Sequence, residues 1–172
     1  TTANIQNVFT KLTYRSFSRQ GLLLDSTEYA LDTTIYYPWN KKNTLTKVSP
    51  LLYVALHDIY IDLDTSQVNI FLFNNHLDTL KTKPINISGI DNSLAFDIMA
   101  DGVGFTILGV SANSNRQFDL FIAHYDLNLN LIWNKIIPDF RNISNQYYNG
   151  FSPQNFIKKD GFYYVTGLSR YI

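Results

Sequence analysis

The stretch Phe118–Ile137, FDLFIAHYDLNLNLIWNKII, decides how this chain folds. After a polar start it holds an apolar run, a polar break from Asp126 to Asn130, and a second apolar run carrying one of only two tryptophans. The same pattern recurs as TTIYYPWNKKNTLTK from Thr33 and VNIFLFNNHLDTLKTK from Val68. Ile35, Ile70 and Ile122 coincide, as do Asn43, Asp78 and Asn130 in the break, and Leu45, Leu80 and Ile132 after it. Each copy reads as strand, polar turn, strand, because Asn and Asp adopt turn conformations and hydrogen-bond their own backbone.

A second unit alternates with the first. FDIMADGVGFTILGVS from Phe96 and NFIKKDGFYYVTGLSR from Asn155 share Ile98 with Ile157, Asp101-Gly102 with Asp160-Gly161, and Gly109-x-Ser111 with Gly167-x-Ser169. Asp-Gly between apolar runs is a strong hairpin signal. LLYVALHDIYIDLD from Leu51 takes the equivalent place one unit earlier, with His57-Asp58 where the glycine is expected. Two alternating hairpins give about four strands per cycle of roughly 50 residues, a period typical of propeller blades.

DGFYYVTGLS and DLFIAHYDLNLNLIWNK resemble the inner and outer hairpins of the β-propeller repeats of secreted microbial proteins. In those repeats a "DG-x-apolar-G-x-S" hairpin precedes a "D-apolar-turn-G/N-apolar-x-W" hairpin. The resemblance spans roughly Leu31 to Arg170; its motifs are structural and bring no catalytic residues with them. It implies an all-β fold of antiparallel, propeller-like blades, about three and a half of them, within a single domain over residues 1–172. The alternative is a β-sandwich, which does not require the two hairpin types to alternate. Because a closed ring has four to eight blades, the count implies that further polypeptide or another subunit completes the sheet. Asn155 to Tyr171 is accordingly expected to form an inner hairpin without its outer partner.

Composition agrees with a β protein. Thirteen of the 14 acidic residues are aspartate, and the chain carries 12 Tyr and 12 Phe; Asp belongs in turns, and aromatic residues fit pleated surfaces. A balance of 14 basic and 14 acidic residues attracts neither nucleic acid nor an anionic membrane. There is no cysteine, which excludes disulfides, thiolate metal sites and cysteine nucleophiles. No apolar run is long enough for a membrane-spanning helix. Two acceptor sequons, at Asn86 and Asn142, point to an extracellular or cell-surface glycoprotein; Asn142, in the longer loop, is the preferred site of the two.

Candidate chemistry is sparse. His57, His76 and His124 have no metal-ligand spacing, no G-x-S-x-G elbow supports a Ser-His-Asp triad, and no cofactor motif occurs. DIYIDLDTS places Asp58, Tyr60 and Asp62 on one strand face, but it lacks the glycine and glutamate of a calcium loop. Two aspartates across a cleft could cleave glycosides, and thirteen aspartates make such pairs common by accident. The better candidates are aromatic: Tyr36 and Trp39 in IYYPWN, and Tyr147, Tyr148 and Asn149 in NQYYNGF, the latter inside the long interruption between Ile137 and Asn155. Flat rings beside amides suit sugar faces or a protein interface. Trp133, at the repeat's fixed tryptophan place, reads as packing between repeats. The expectation is a non-enzymatic extracellular scaffold or binding module; the alternatives are a glycan-cleaving propeller and a surface filament subunit.

Overall fold

The structure, a computed structural model, describes residues 9–35, 45–60, 66–90, 92–112, 118–137 and 151–169. Within these residues the chain is all-β, without a helix. The strands are β1 (Phe9–Phe17), β2 (Leu23–Ile35), β3 (Leu45–Ser49), β4 (Leu52–Tyr60), β5 (Ser66–Asn74), β6 (Thr79–Pro84), β7 (Asn92–Ala100), β8 (Gly104–Ala112), β9 (Phe118–Asp126), β10 (Leu131–Ile137), β11 (Phe151–Lys159) and β12 (Phe162–Ser169). Every pairing is antiparallel and between sequence neighbours. The result is two four-stranded meanders, β3-β4-β5-β6 and β7-β8-β9-β10, and two hairpins, β1-β2 and β11-β12.

The central strands explain how these sheets are arranged. Successive residues of a strand point to opposite faces, so a strand with one wet face alternates apolar and polar residues. Here Ile70, Phe71, Leu72 and Phe73 of β5 are all buried, as are residues 104–111 of β8 and 121–125 of β9. Both faces of each meander therefore need cover. Val54, Leu56, Val68, Ile70 and Leu72 from the first meander share one core with Ala95, Ile98, Phe105, Ile107, Phe121, Ala123 and Tyr125 from the second. On the far side of the first meander, Ala55, Phe71 and Phe73 form another cluster, and β2 of the N-terminal hairpin lies against β4. On the far side of the second, Leu108 and Ile122 pack on Phe156, with Tyr163 and Val165 beside them. Hairpin, meander, meander and hairpin thus follow one another as successive layers. The outermost strands β6 and β10 are mostly exposed and carry the lysines that an open edge tolerates.

Two turn designs recur. Asn74 Oδ1 accepts the N–H groups of His76 and Asp78, both at 2.9 Å. Asp126 Oδ1 accepts those of Asn128 and Asn130, both at 2.8 Å. Ser18 Oγ does the same for Gln20 and Leu22, at 3.2 and 3.1 Å. The backbone bonds match as well, and the fourth residue is left-handed in all three: Leu77 (φ 63°), Leu129 (φ 65°) and Gly21 (φ 84°). The first two copies also bridge their ends, with Asn74 Nδ2 on Asp78 Oδ2 and, in mirror image, Asn130 Nδ2 on Asp126 Oδ2. These turns close β1-β2, β5-β6 and β9-β10, the trailing hairpins. Leading hairpins close differently. Asp160-Gly161 is a two-residue loop with both residues at positive φ, as a type I′ turn requires. Asp101 opens a three-residue loop and accepts N–H bonds from Val103 and Gly104.

Two expectations are corrected. Thr33–Lys47 is not a hairpin: Ile35 ends β2, paired with β1, whereas Leu45 opens β3, paired with β4. The physical reason is visible in the turn. Its first position needs a side-chain acceptor, and the residue four after Ile35 is Trp39, which can only donate. The third trailing hairpin is instead β1-β2, built on Ser18. His57-Asp58 likewise does not mark a turn but lies inside β4; the leading hairpin there turns at Pro50-Leu51.

The two left-handed leucines make a paired test. A non-glycine residue in this conformation costs roughly 1–2 kcal/mol, and Asn tolerates it. Leu77 is half-buried, whereas Leu129 is 1% exposed and belongs to the shared core. Leu77→Asn should therefore raise stability by up to about 1 kcal/mol, while Leu129→Asn should lower it by about 2 kcal/mol or more. Urea denaturation giving both substitutions the same sign would refute this account of the turns.

Asp126 supplies a second test. Its carboxyl is held below the ordinary value of 3.8, first by the N–H of Asn130 and with further help from the Asn130 side chain, the N–H of Asn128 and Lys81. A carboxyl depressed by folding contributes its full stability above the unfolded value and loses it as pH falls through the lower folded one. Asp126→Asn keeps an acceptor in the turn, so it should change little at neutral pH and flatten the fall of stability below about pH 4. Denaturation curves across that range would show it.

Candidate functional site

The candidate binding residues Tyr36, Trp39, Tyr147, Tyr148 and Asn149 and the sequon residue Asn142 lie outside the described residues. Chain order still places them. Residues 36–44 join β2 to β3 and residues 138–150 join β10 to β11, so both segments run from a trailing hairpin to the next leading hairpin. The third connection of that kind, after β6 and before β7, holds the other sequon, where exposed Asn86 stands between buried Ile85 and Ile87.

Buried polar residues, Asp58 of the DIYIDLDTS run among them, are built into joints between layers. Asp58 is 4% exposed, and its Oδ1 accepts the N–H of Ala95 at 3.1 Å. Asp97 is 5% exposed; its Oδ1 accepts the N–H of Ile98 at 2.8 Å and its Oδ2 that of Phe156 at 3.1 Å. Each carboxylate thus satisfies a backbone donor of the next layer. Around them Ser66 donates its N–H to Asn92 Oδ1 and its hydroxyl to the Ser93 carbonyl, and Val68 donates to Ser93 Oγ. At the rim, Lys81 reaches Asn128 Oδ1 and Lys83 the Leu129 carbonyl, so β6 is tied to the turn of the following meander. Sequence reading weighed Asp58 only as a calcium ligand and passed over Asp97. Their signal was present, since Asp58 and Asp97 each sit within a strand, where Asp is unfavourable unless it has a fixed partner.

One cluster has the components of a catalytic centre. His124 Nδ1 lies 3.1 Å from Thr106 Oγ1 and 3.9 Å from Asp101 Oδ2, Thr106 Oγ1 lies 3.4 Å from the Tyr163 hydroxyl, and Lys158 Nζ lies 3.4 Å from Asp101 Oδ2. A hydroxyl–imidazole–carboxylate relay needs its two partners on opposite ring nitrogens. Here both approach Nδ1. The imidazole is instead covered by Trp133, whose ring stacks on it at 5.7 Å, with Tyr163 tilted against Trp133 at the same distance. Lys158 lies over the Tyr163 ring and is held above its ordinary value chiefly by that neighbour, then by Asp101. The cluster joins the second meander to the β11-β12 hairpin, and Trp133 packs between layers.

The other histidines are remote from it. His57 meets the edge of Phe71 on β5, and His76 lies in an exposed turn. Among the described residues no three His, Cys, Asp or Glu side chains gather as a metal site. Tyr125 is buried in the core shared by the two meanders, and that burial pushes its phenol up to about 12, so it is neutral at physiological pH. No helix among the described residues is long and apolar enough to cross a membrane. Neither a protein-family model, nor a curated protein, nor a solved structure matches this chain.

If Asp97 is a joint, its removal should loosen one layer selectively. Asp97→Ala strands the Phe156 N–H, and a hydrogen bond to a charged acceptor contributes about 1.5–3 kcal/mol. Amide exchange should accelerate in β11 and β12 well beyond any change in β4 and β5. Uniform acceleration across all strands would exclude a local joint.

Proposed function

We propose that this chain is an extracellular β-repeat scaffold that binds a glycan or protein through its layer-to-layer connections, with its sheets stacked as the blades of a propeller-type array. The observation that carries the reading is a division of labour. The buried aspartates, serines and the His124 cluster hold layers together, while the unassigned aromatic and Asn-rich segments all fall in connections of one topological kind. Stacking in series supports blades over a sandwich, since a sandwich has two sheets around one core, whereas here three apolar clusters succeed one another. The exposed sequon at Asn86 supports an extracellular or cell-surface location.

A glycan-cleaving propeller with paired aspartates is the competing reading. Asp58 and Asp97, the buried aspartates, already accept backbone donors, which disfavours a role in proton transfer. The end hairpins favour a further part of the proposal: among the described residues β1 and β12 each pair on one side only. Further polypeptide pairs with these edges and completes the end sheets.

Binding and turnover separate the readings. On a panel of immobilised glycans the chain should be retained without releasing reducing ends. Trp39→Ala or Tyr148→Ala should weaken retention about 30-fold, the loss of one aromatic anchor at about 2 kcal/mol. Reducing ends that appear with the chain and vanish on substituting an aspartate would establish the enzyme instead.

A further inference from the structure

The two end hairpins are of different kinds. β1-β2 carries the Ser18 turn of a trailing hairpin, and β11-β12 carries the Asp-Gly turn of a leading one. Each complete sheet is a leading hairpin followed by a trailing hairpin, joined antiparallel through their middle strands, β4 to β5 and β8 to β9. Among the described residues, each end hairpin is therefore the half-sheet complementary to the other. Resting on the propeller reading above, we propose that β12 of one copy pairs with β1 of a second copy, so that two copies close head to tail into one ring.

The complete sheets give the register. The residue that caps the trailing turn stands opposite the first residue of the leading hairpin's second strand: Asn74 opposite Leu52, and Asp126 opposite Gly104. By the same rule Ser18 stands opposite Phe162. One step further in, both complete sheets place an aromatic pair, Tyr53 with Phe73 and Phe105 with Tyr125; in the latter the rings stack at 5.7 Å. The corresponding pair across the two copies is Tyr163 with Phe17, so both ends carry the residue type that this position holds elsewhere. Beside Phe156 of its own hairpin, Tyr163 also faces the preceding layer, against Trp133, just as Phe105 and Tyr125 face theirs.

The contact is heterologous, so the number of copies decides whether it closes. Two copies bring two complete sheets each and share two more, which makes six, within the four to eight of known rings; three copies make nine, outside it.

The chain has no cysteine, so engineered thiols report the register directly. The same rule sets Tyr14 opposite Thr166. Native mass spectrometry of the unmodified 172-residue chain should give about twice 19.8 kDa. Mixed Y14C and T166C chains should form a heterodimeric disulfide on mild oxidation, in yield well above Y14C mixed with I157C, whose thiol lies on the strand beyond. A monomeric mass overturns the proposal. A monomeric Y14C/T166C double variant with an internal disulfide would show closure within one copy, overturning the second copy as occupant while leaving the completed sheet. A monomer with no in-register disulfide of either kind would overturn both.

Discussion

A strand that is apolar on both sides cannot sit at a surface, and β5, β8 and β9 are such strands. Ile70 and Leu72 face one layer while Phe71 and Phe73 face another, and Phe121 and Tyr125 face away from Ile122. At about 25 cal/mol per Å² of apolar surface, leaving either face wet would cost several kcal/mol per sheet, comparable to the whole stability of a domain. Each meander is therefore obliged to have a neighbour on each side. The serial stack of layers follows from that demand, and so does the unequal treatment of strands: interior ones are continuous hydrophobic runs, while β6 and β10 at the rim are mostly exposed and carry lysine, two in β6 and one in β10.

Apolar packing brings layers together without fixing their offset, since two greasy faces slide at little cost. The buried polar bonds supply the registration. Asp58 to Ala95, Ser93 to Val68 and Asp97 to Phe156 each place a side-chain acceptor of one layer on a backbone donor of its neighbour. A slipped layer would strand a buried carboxylate, at the desolvation penalty of a charged group. Close contacts act to the same end within a sheet: a Cβ on Gly109 would overlap the Phe121 ring and the Leu94 carbonyl, so only glycine lets β8 lie where it does between β7 and β9.

The all-β class, the alternation of two hairpin types and the Asp-Gly turns at Asp101 and Asp160 were legible in the sequence, because composition and turn chemistry act locally. The phase of the repeat was not. Aligning Asn43 with Asp78 and Asn130 matched the last residue of the turn, whereas the turn is built from its first residue, whose side chain accepts two N–H bonds. Reading for an acceptor followed three residues later by a residue able to take positive φ finds Ser18-Gly21, but Leu77 and Leu129 disguise that rule because leucine seldom takes it. The joints were hidden for another reason. Asp97 and Phe156 are 59 positions apart, and their bond exists only once two layers have met.

The same distinction governs where function can reside. A residue whose hydrogen bonds set the offset of two layers cannot also turn over a substrate without releasing them, so the best-ordered polar groups of this fold are the least available for chemistry. Connections between layers run from a trailing hairpin to the next leading one, where loops commonly carry function. Their ends are set by Ile35 and Leu45, by Pro84 and Asn92, and by Ile137 and Phe151, all fixed in strands. It is in these three connections that the chain keeps Tyr36 and Trp39, the Asn86 and Asn142 sequons, and Tyr147, Tyr148 and Asn149. Layers that recur while the sequences joining them differ are what the proposed binding role requires, since a scaffold repeats and its recognition segments do not.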